Sequence, residues 1–244
     1  MTTSPVFLAP KRLIESDDRV VLDGPEGRHA AKVRRLAPGE ALDLVDGDGL
    51  RVRCLVDVVT ADGLVVLVQS RVLEPDPQPR VVVIQALAKG DRGERAVEVL
   101  TEVGTDEIVP WAASRSVTQW RADRGDRALE RWRSIARESA KQSRRARFPV
   151  VTRLATTGEV AARLAAAACA LVLHEDASAH AGTHPLPTSG EVVLVVGPEG
   201  GLSPGELDDF RGAGATTVRL GPSVLRTSTA GVVAAAVVLS RTRW

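Results

Sequence analysis

The sequence predicts two domains of different class: a small all-β domain, then a larger α/β domain built on a parallel sheet. Three observations predict this. Short β-branched runs separated by glycine-rich turns fill residues 1–72, a proline-punctuated stretch follows at 73–79, and beyond it continuous apolar strands alternate with helical patterns over 80–244.

In the first domain the runs 19–22, 41–45, 51–59 and 64–68 are set apart by Asp23-Gly24, Asp46-Gly47-Asp48-Gly49 and Ala61-Asp62-Gly63. Strands at this spacing predict a small β-barrel. Leu73-Glu74-Pro75-Asp76-Pro77-Gln78-Pro79 carries prolines at alternate positions, which continue neither a ladder nor a helix, so it reads as a semi-rigid linker. After it, 81–87 is one apolar strand, and 92–103 is a helix with Ala96, Val97, Leu100 and Val103 on one face. A second helix over 126–141 turns Leu129, Trp132, Ile135 and Ala136 inward. Residues 171–173 and 192–196 are strands without polar alternation, as a sheet covered on both faces requires. Ser203-Pro204-Gly205-Glu206 opens a helix with a capping box and proline at the first helical position. The last helix, 229–239, is apolar or small nearly all round, so it is buried in the core or at a subunit interface.

Composition bounds the function. The 244 residues carry a formal net charge of +1, yet 28 of the 32 basic residues are arginine, and 11 basic against four acidic residues lie between Arg115 and Arg147. A local cationic surface on a near-neutral chain points to an anionic partner. Cys54 and Cys169 each stand alone in an apolar run, which fits inert core thiols in a reducing compartment and neither a zinc nor a disulfide framework. Residues 1–12 hold no apolar signal core, and the most apolar late stretch, 231–239, is far short of the ~20 residues a membrane span needs, so a cytoplasmic protein is expected.

Two loops carry the most chemistry. Gly197-Pro198-Glu199-Gly200-Gly201 follows the strand 192–196, and Leu220-Gly221-Pro222-Ser223-Val224-Leu225-Arg226-Thr227 comes 19 positions later. Loops at the carboxyl ends of parallel strands build the ligand crevice of an open α/β sheet. The first loop is no P-loop, because Leu202-Ser203 stands where Lys-Ser/Thr is required, and Glu199 would repel phosphate. The second offers backbone amides between the apolar Val224 and Leu225, a combination suited to an adenine edge.

In their order these loops resemble the signature of the SPOUT-class methyltransferases that modify N3 of a uridine in small-subunit (16S) ribosomal RNA. The likeness extends upstream through His29-x-x-x-Val33-x-Arg35-Leu36, Lys89-Gly90-Asp91-Arg92 with Glu94, Val103-Gly104 before Ile108-x-Pro110, Arg115-Ser116, and Gln142-Ser143-x-Arg145. The resemblance implies a PUA-like barrel over 1–72 and a SPOUT domain over 80–244 with a trefoil knot. It also implies S-adenosyl-L-methionine bound in the knot, a homodimer, 16S ribosomal RNA or the small subunit as partner, and no metal. Carried over, the cofactor contacts are Leu173, Gly197, Pro198, Glu199, Gly200, Gly201, Leu220, Gly221, Leu225, Arg226 and Thr227. The chain departs from the family pattern at Ser228, where a glutamate is usual, and at Pro5-Val6, where Pro-Arg is usual.

Arg133, Arg137, Lys141 and Arg144 recur at helical spacing and form a cationic stripe running into Arg145 and Arg147, or else a solvated face paired with Glu130 and Glu138. Together with Arg12, Arg34, Arg35, Lys89, Arg92 and Arg115 they are the candidate RNA contacts. With no tyrosine and three phenylalanines, recognition through phosphates and shape is expected, and Trp111, Trp120 and Trp132 read as packing residues. His174, His180 and His184 with Glu175 and Asp176 lie in a loop-like stretch, so no metal site is expected. For catalysis, Arg145 is the candidate guanidinium to stabilise the uracil anion that forms when N3 loses its proton; the proton acceptor stays open, Glu94 and Glu199 being the carboxylates nearest to the matched motifs. Two other readings stay open: a non-catalytic RNA-binding assembly factor on the same scaffold, and a methyltransferase acting on another RNA atom such as a ribose 2′-hydroxyl.

Overall fold

The computed structural model describes residues 4–244. Residues 1–3, part of the expected first domain, lie outside it. Two compact units are present, one of residues up to Asp76 together with Ala140–Phe148, the other of Pro77–Ser139 and Pro149–Trp244. The segment 140–148, placed by the sequence reading in the second domain, thus packs with the first.

In the first unit β1 (Val6–Leu8), α1 (Lys11–Ile14), β2 (Arg19–Leu22), α2 (Gly24–Arg28), a π-helical turn (His29–Val33), β3 (Ala41–Val45), β4 (Leu50–Val59) and β5 (Leu64–Leu73) follow one another. The five strands form one sheet in the order β1-β3-β4-β5-β2, curled into a half-barrel; β1 and β2 are its two edges. The β3–β4 turn is fixed by Asp46, whose carboxylate accepts the N–H groups of Asp48 and Leu50 at 2.7 and 3.0 Å. Phe7, Ile14, Leu42, Leu44 and Leu64 fill the concave side. Gly27 and Gly63 pack against the Leu22 carbonyl so closely that a Cβ on either would come within 2.2 or 2.0 Å of its oxygen.

The second unit runs β6 (Arg80–Ala86), α3 (Arg92–Val103), β7 (Glu107–Trp111), α4 (Ala122–Gln142, whose last residues belong to the first unit), β8 (Val150–Val151), α5 (Thr157–Ala166), β9 (Cys169–Leu173), β10 (Ala179–His180), β11 (Glu191–Val196), α6 (Pro204–Gly212), β12 (Thr216–Arg219) and α7 (Thr227–Thr242). All seven strands are parallel, in the order β10-β12-β9-β11-β6-β7-β8. Alternation along each strand explains the unbroken apolar runs. Val81 and Val83 of β6, with Val192, Leu194 and Val196 of β11, face α3 and α7, whereas Val82, Ile84, Val193 and Val195 face the α5 and α6 side. Trp111 and Phe210 close the second layer edge to face at 5.4 Å, and Trp120 with Trp132 joins the first at 5.0 Å.

Beneath the sheet, at the amino ends of β6, β7 and β11, Arg80 and Arg163 each bridge Glu107 and Glu191 at 2.6–3.2 Å. These bonds fix the lower rim, away from the carboxyl ends where β11 sits between β6 and β9. The final helix is longer than the expected 229–239. It is buried on one side through Gly231, Ala234, Ala235, Val238 and Leu239, while Val233 on the other is 39% exposed. Among the described residues no helix is long and apolar enough to cross a membrane.

Candidate active site

At the carboxyl ends of β9, β11 and β12 and the amino end of α7 lies a cavity of about 430 Å³. Leu173, Gly197, Pro198, Glu199 and Gly201 line it together with the loop from Leu220 to Thr227. Of the residues expected to hold a cofactor, Gly200 alone is not part of the lining. A Cβ at Gly200 would lie 3.2 Å from the Arg115 Cβ and carbonyl oxygen, so this glycine serves the close approach of the 113–116 turn. Arg115, expected at RNA, directs its Nη1 at the carbonyls of Gly200 and Leu202, each at 3.2 Å.

The first loop is held from three sides. Gly201 turns at φ +69° while its N–H returns to the Pro198 carbonyl at 2.9 Å. Ser203 and Glu206 form the capping box of α6 with Pro204 at the first helical position, and the other Glu206 oxygen accepts the Ser114 N–H at 2.7 Å. Glu199 Oε1 accepts from the Lys89 N–H at 3.1 Å and from Arg92 Nη1 at 2.9 Å. Partial burial pushes the Glu199 carboxyl up, but Arg92 and the backbone donors outweigh it and hold its pKa below the ordinary value. The second loop is joined to the first where Thr227 Oγ1 donates to the Gly197 carbonyl at 2.8 Å.

A site built of backbone, apolar walls and several charged side chains, the Arg92–Glu199 pair among them, suits a small polar molecule with a flat ring. Comparison with known proteins gives the family. The family described as RNA methyltransferase domain matches residues 74–239, and the one described as RNA methyltransferase PUA domain matches residues 22–69. The ribosomal RNA small subunit methyltransferase E of Mycobacterium bovis is 47% identical over 229 residues, covering 92% of this chain and 87% of that protein. This chain belongs to the ribosomal RNA small subunit methyltransferase E family. Its Bacillus subtilis member is 30% identical over 232 residues, 92% of this chain and 91% of that one. The crystal structure of the Neisseria gonorrhoeae member bound to S-adenosyl methionine superposes with a TM-score of 0.85 at 26% identity, covering 98% of each chain.

Within this family chain several expected site residues are engaged elsewhere. Glu94 is not in the cavity lining and pairs with Arg131 at 2.5 Å. The cationic stripe is interrupted: α4 ends at Gln142, and Arg144 sits beyond it with φ +58°. Lys141 is 5% exposed and joins Glu26 at 2.6 Å, because its stem is enclosed in the first unit. Arg133 is tied to Glu130 and to the Val151 carbonyl, while Arg137 and Arg144 are exposed. Arg145, half-buried, donates its backbone N–H to the Ala140 carbonyl at 2.9 Å. Arg12, Arg34 and Arg35 are exposed on the first unit, and the Lys89 side chain on the second. Ser228, where the resemblance led a glutamate to be expected, is buried in the first turn of α7.

The sequence reading did not name His174, Glu175, Val196, Leu202, Val218, Arg219 and Ala230 as lining residues, and Arg92, expected at RNA, also lines the cavity. The available signal was position: His174 and Glu175 directly follow a strand of the sheet. His174 Nδ1 accepts the Asp176 N–H at 3.2 Å, and His180 Nε2 accepts from Arg219 Nε at 3.0 Å. Among the described residues no group of three or more histidine, cysteine or carboxylate side chains is placed to hold a metal ion. Burial pushes the Cys54 thiol up to about 12, with Asp43 adding to it, and burial also raises Cys169, so neither is a nucleophile near neutral pH.

Proposed function

We propose that this protein transfers the methyl group of S-adenosyl-L-methionine to N3 of a uridine in 16S ribosomal RNA, acting in the cytoplasm as a homodimer whose C-terminal domain carries a trefoil knot. The observation that carries the reading is the cavity formed jointly by the loops 197–201 and 220–227, in a chain of this family. The lining fits the cofactor. Val224, Leu225 and Ala230 supply apolar walls for an adenine ring, while Arg92 and Glu175 supply opposite charges for an α-amino acid end. S-Adenosylmethionine supplies a methyl group already activated on a sulfonium, so the protein has mainly to position acceptor and donor in line.

Arg145, within the Gln142-Ser143-x-Arg145 motif, remains the proposed guanidinium for the negative charge that spreads onto O2 and O4 of uracil. Glu199, ion-paired and held ionised, serves the loop more than proton transfer. The exposed Arg12, Arg34 and Arg35 are the proposed contacts to flanking RNA phosphates. The homodimer is carried over from the resemblance; α7 leaves Val233 exposed and Val232, Ala236 and Val237 half-buried on its outer side.

Calorimetry of the full chain with S-adenosylmethionine tests the pocket: micromolar binding is expected, and no binding at millimolar cofactor leaves only the RNA-binding scaffold. Arg145→Ala is expected to lower turnover at saturating RNA without changing cofactor affinity; unchanged turnover removes Arg145 from the chemistry.

A further inference from the structure

We propose that Gln85 is a positioning residue for the cofactor pocket, acting through Thr227 to hold the second loop onto Gly197; this rests on reading the cavity as the S-adenosylmethionine site. Gln85 is the polar exception in the fully buried part of β6, 81–86. Positions 81 and 83 present valines to the α3 and α7 layer, and position 85, on the same face and fully buried, presents an amide. Its register partner is Val196, the last residue before the first loop.

The amide has a defined use. Gln85 Nε2 donates to Thr227 Oγ1 at 3.1 Å, with the Ala86 and Thr227 carbonyls at 3.3 and 3.4 Å. Thr227 Oγ1 in turn donates to the Gly197 carbonyl at 2.8 Å. A hydroxyl has one proton, so receiving a hydrogen bond from Gln85 commits that proton to Gly197. The relay runs from strand to helix to loop, and its last two members line the cavity while Gln85 does not.

Stability alone does not account for the residue. Gln85 Oε1 is buried and accepts no hydrogen bond, a cost that an aliphatic side chain in this apolar layer would avoid. The space around it is shaped by Gly231 of α7, where a Cβ would meet Val196 Cγ2 at 3.2 Å, Leu100 Cδ2 at 3.4 Å and Gln85 Oε1 at 3.5 Å. A helix backbone brought this near puts Thr227 within reach of the amide.

The test is calorimetry with S-adenosylmethionine on wild type, Gln85→Met, Thr227→Val, Thr227→Ser and the double variant Gln85→Met/Thr227→Val, with Tm measured on each. Gln85→Met keeps the volume and loses the donor. It is expected to weaken cofactor binding about tenfold with Tm little changed. Thr227→Ser, which keeps the hydroxyl but trims a cavity-lining methyl, is expected to bind more tightly than Thr227→Val, and the double variant no worse than Thr227→Val alone, because both break one relay. Folded Gln85→Met with wild-type affinity, or losses that multiply in the double variant, would overturn the proposal. Should Gln85→Met not fold, Thr227→Val and Thr227→Ser decide together: weakening by valine that serine restores supports the relay, and wild-type affinity of Thr227→Val overturns it. Wild type that binds no cofactor instead overturns the pocket reading itself.

Discussion

Replacing Glu206 by alanine should loosen the corner that carries the first loop, and the structure sets the size of the effect. The carboxylate is 4% exposed and takes three hydrogen bonds, from the Ser114 N–H at 2.7 Å, the Ser203 N–H at 2.8 Å and Ser203 Oγ at 2.9 Å. Alanine keeps the Glu206 N–H to Ser203 Oγ bond but removes half of the capping box, worth about 1 kcal/mol, and leaves the Ser114 N–H unpaired, worth about 1–2 kcal/mol. A loss of about 2–3 kcal/mol corresponds to a Tm lowered by roughly 4–12 °C in a domain of this size, read by calorimetry on the full chain. The pH dependence has a definite sign. Burial pushes this carboxyl up, but the Ser114 and Ser203 donors outweigh it and hold its pKa below the ordinary value. Its contribution is therefore complete above the unfolded glutamate pKa of about 4.3 and is lost as pH falls through the lower folded value. The Tm gap between wild type and Glu206→Gln should be widest near pH 6 and narrow towards pH 3. A drop under about 1 °C for the alanine variant, or a gap that does not change with pH, would refute this account of the corner.

Two further outcomes follow from single distances and bonds. Gly63→Ala places a Cβ 2.0 Å from the Leu22 backbone oxygen, which cannot yield without opening the β2–β5 pairing at Leu22 and Leu64, so thermal unfolding should show a loss of about 3 kcal/mol or more; a variant as stable as wild type would show that the approach is not rigid. Glu199→Gln breaks a half-exposed pair with Arg92 worth about 0.2–1 kcal/mol, so cofactor affinity should fall by no more than about 5-fold, whereas a turnover loss of about 100-fold or more would make Glu199 the general base after all.

Much of the fold was legible because its signals are local. The 92–103 helix matches α3, and Ser203-Pro204-x-Glu206 forms the capping box that its spacing requires, since a cap is decided within one turn. The strands 19–22 and 41–45 are found with the same bounds. What was missed depends on distant partners. β7 is buried at every position and so shows no alternation, β12 is mostly polar, and β5 runs to Leu73 because its cross-strand pairing with β4 continues where the sequence turns polar. A cationic stripe was read from i, i+4 spacing alone, yet Lys141 is drawn into an ion pair with Glu26, 115 positions away. The pocket was legible as two glycine-rich loops, because glycine and proline mark strand-end turns wherever they occur. The bonds that fasten those loops, from Arg115, Arg92 and Gln85, join residues far apart in the chain and carry no local signature.

The central claim is methyl transfer to uridine N3 in small-subunit RNA. Its most direct measurement is to incubate the protein with S-adenosylmethionine and 16S ribosomal RNA, or small subunits, from a strain lacking the gene, and to map the product nucleoside by mass spectrometry. One 3-methyluridine at a single position is the expected result. A methyl group on a ribose hydroxyl or on another base would contradict the acceptor assigned here, and no transfer to either substrate, with cofactor bound, would contradict the enzyme.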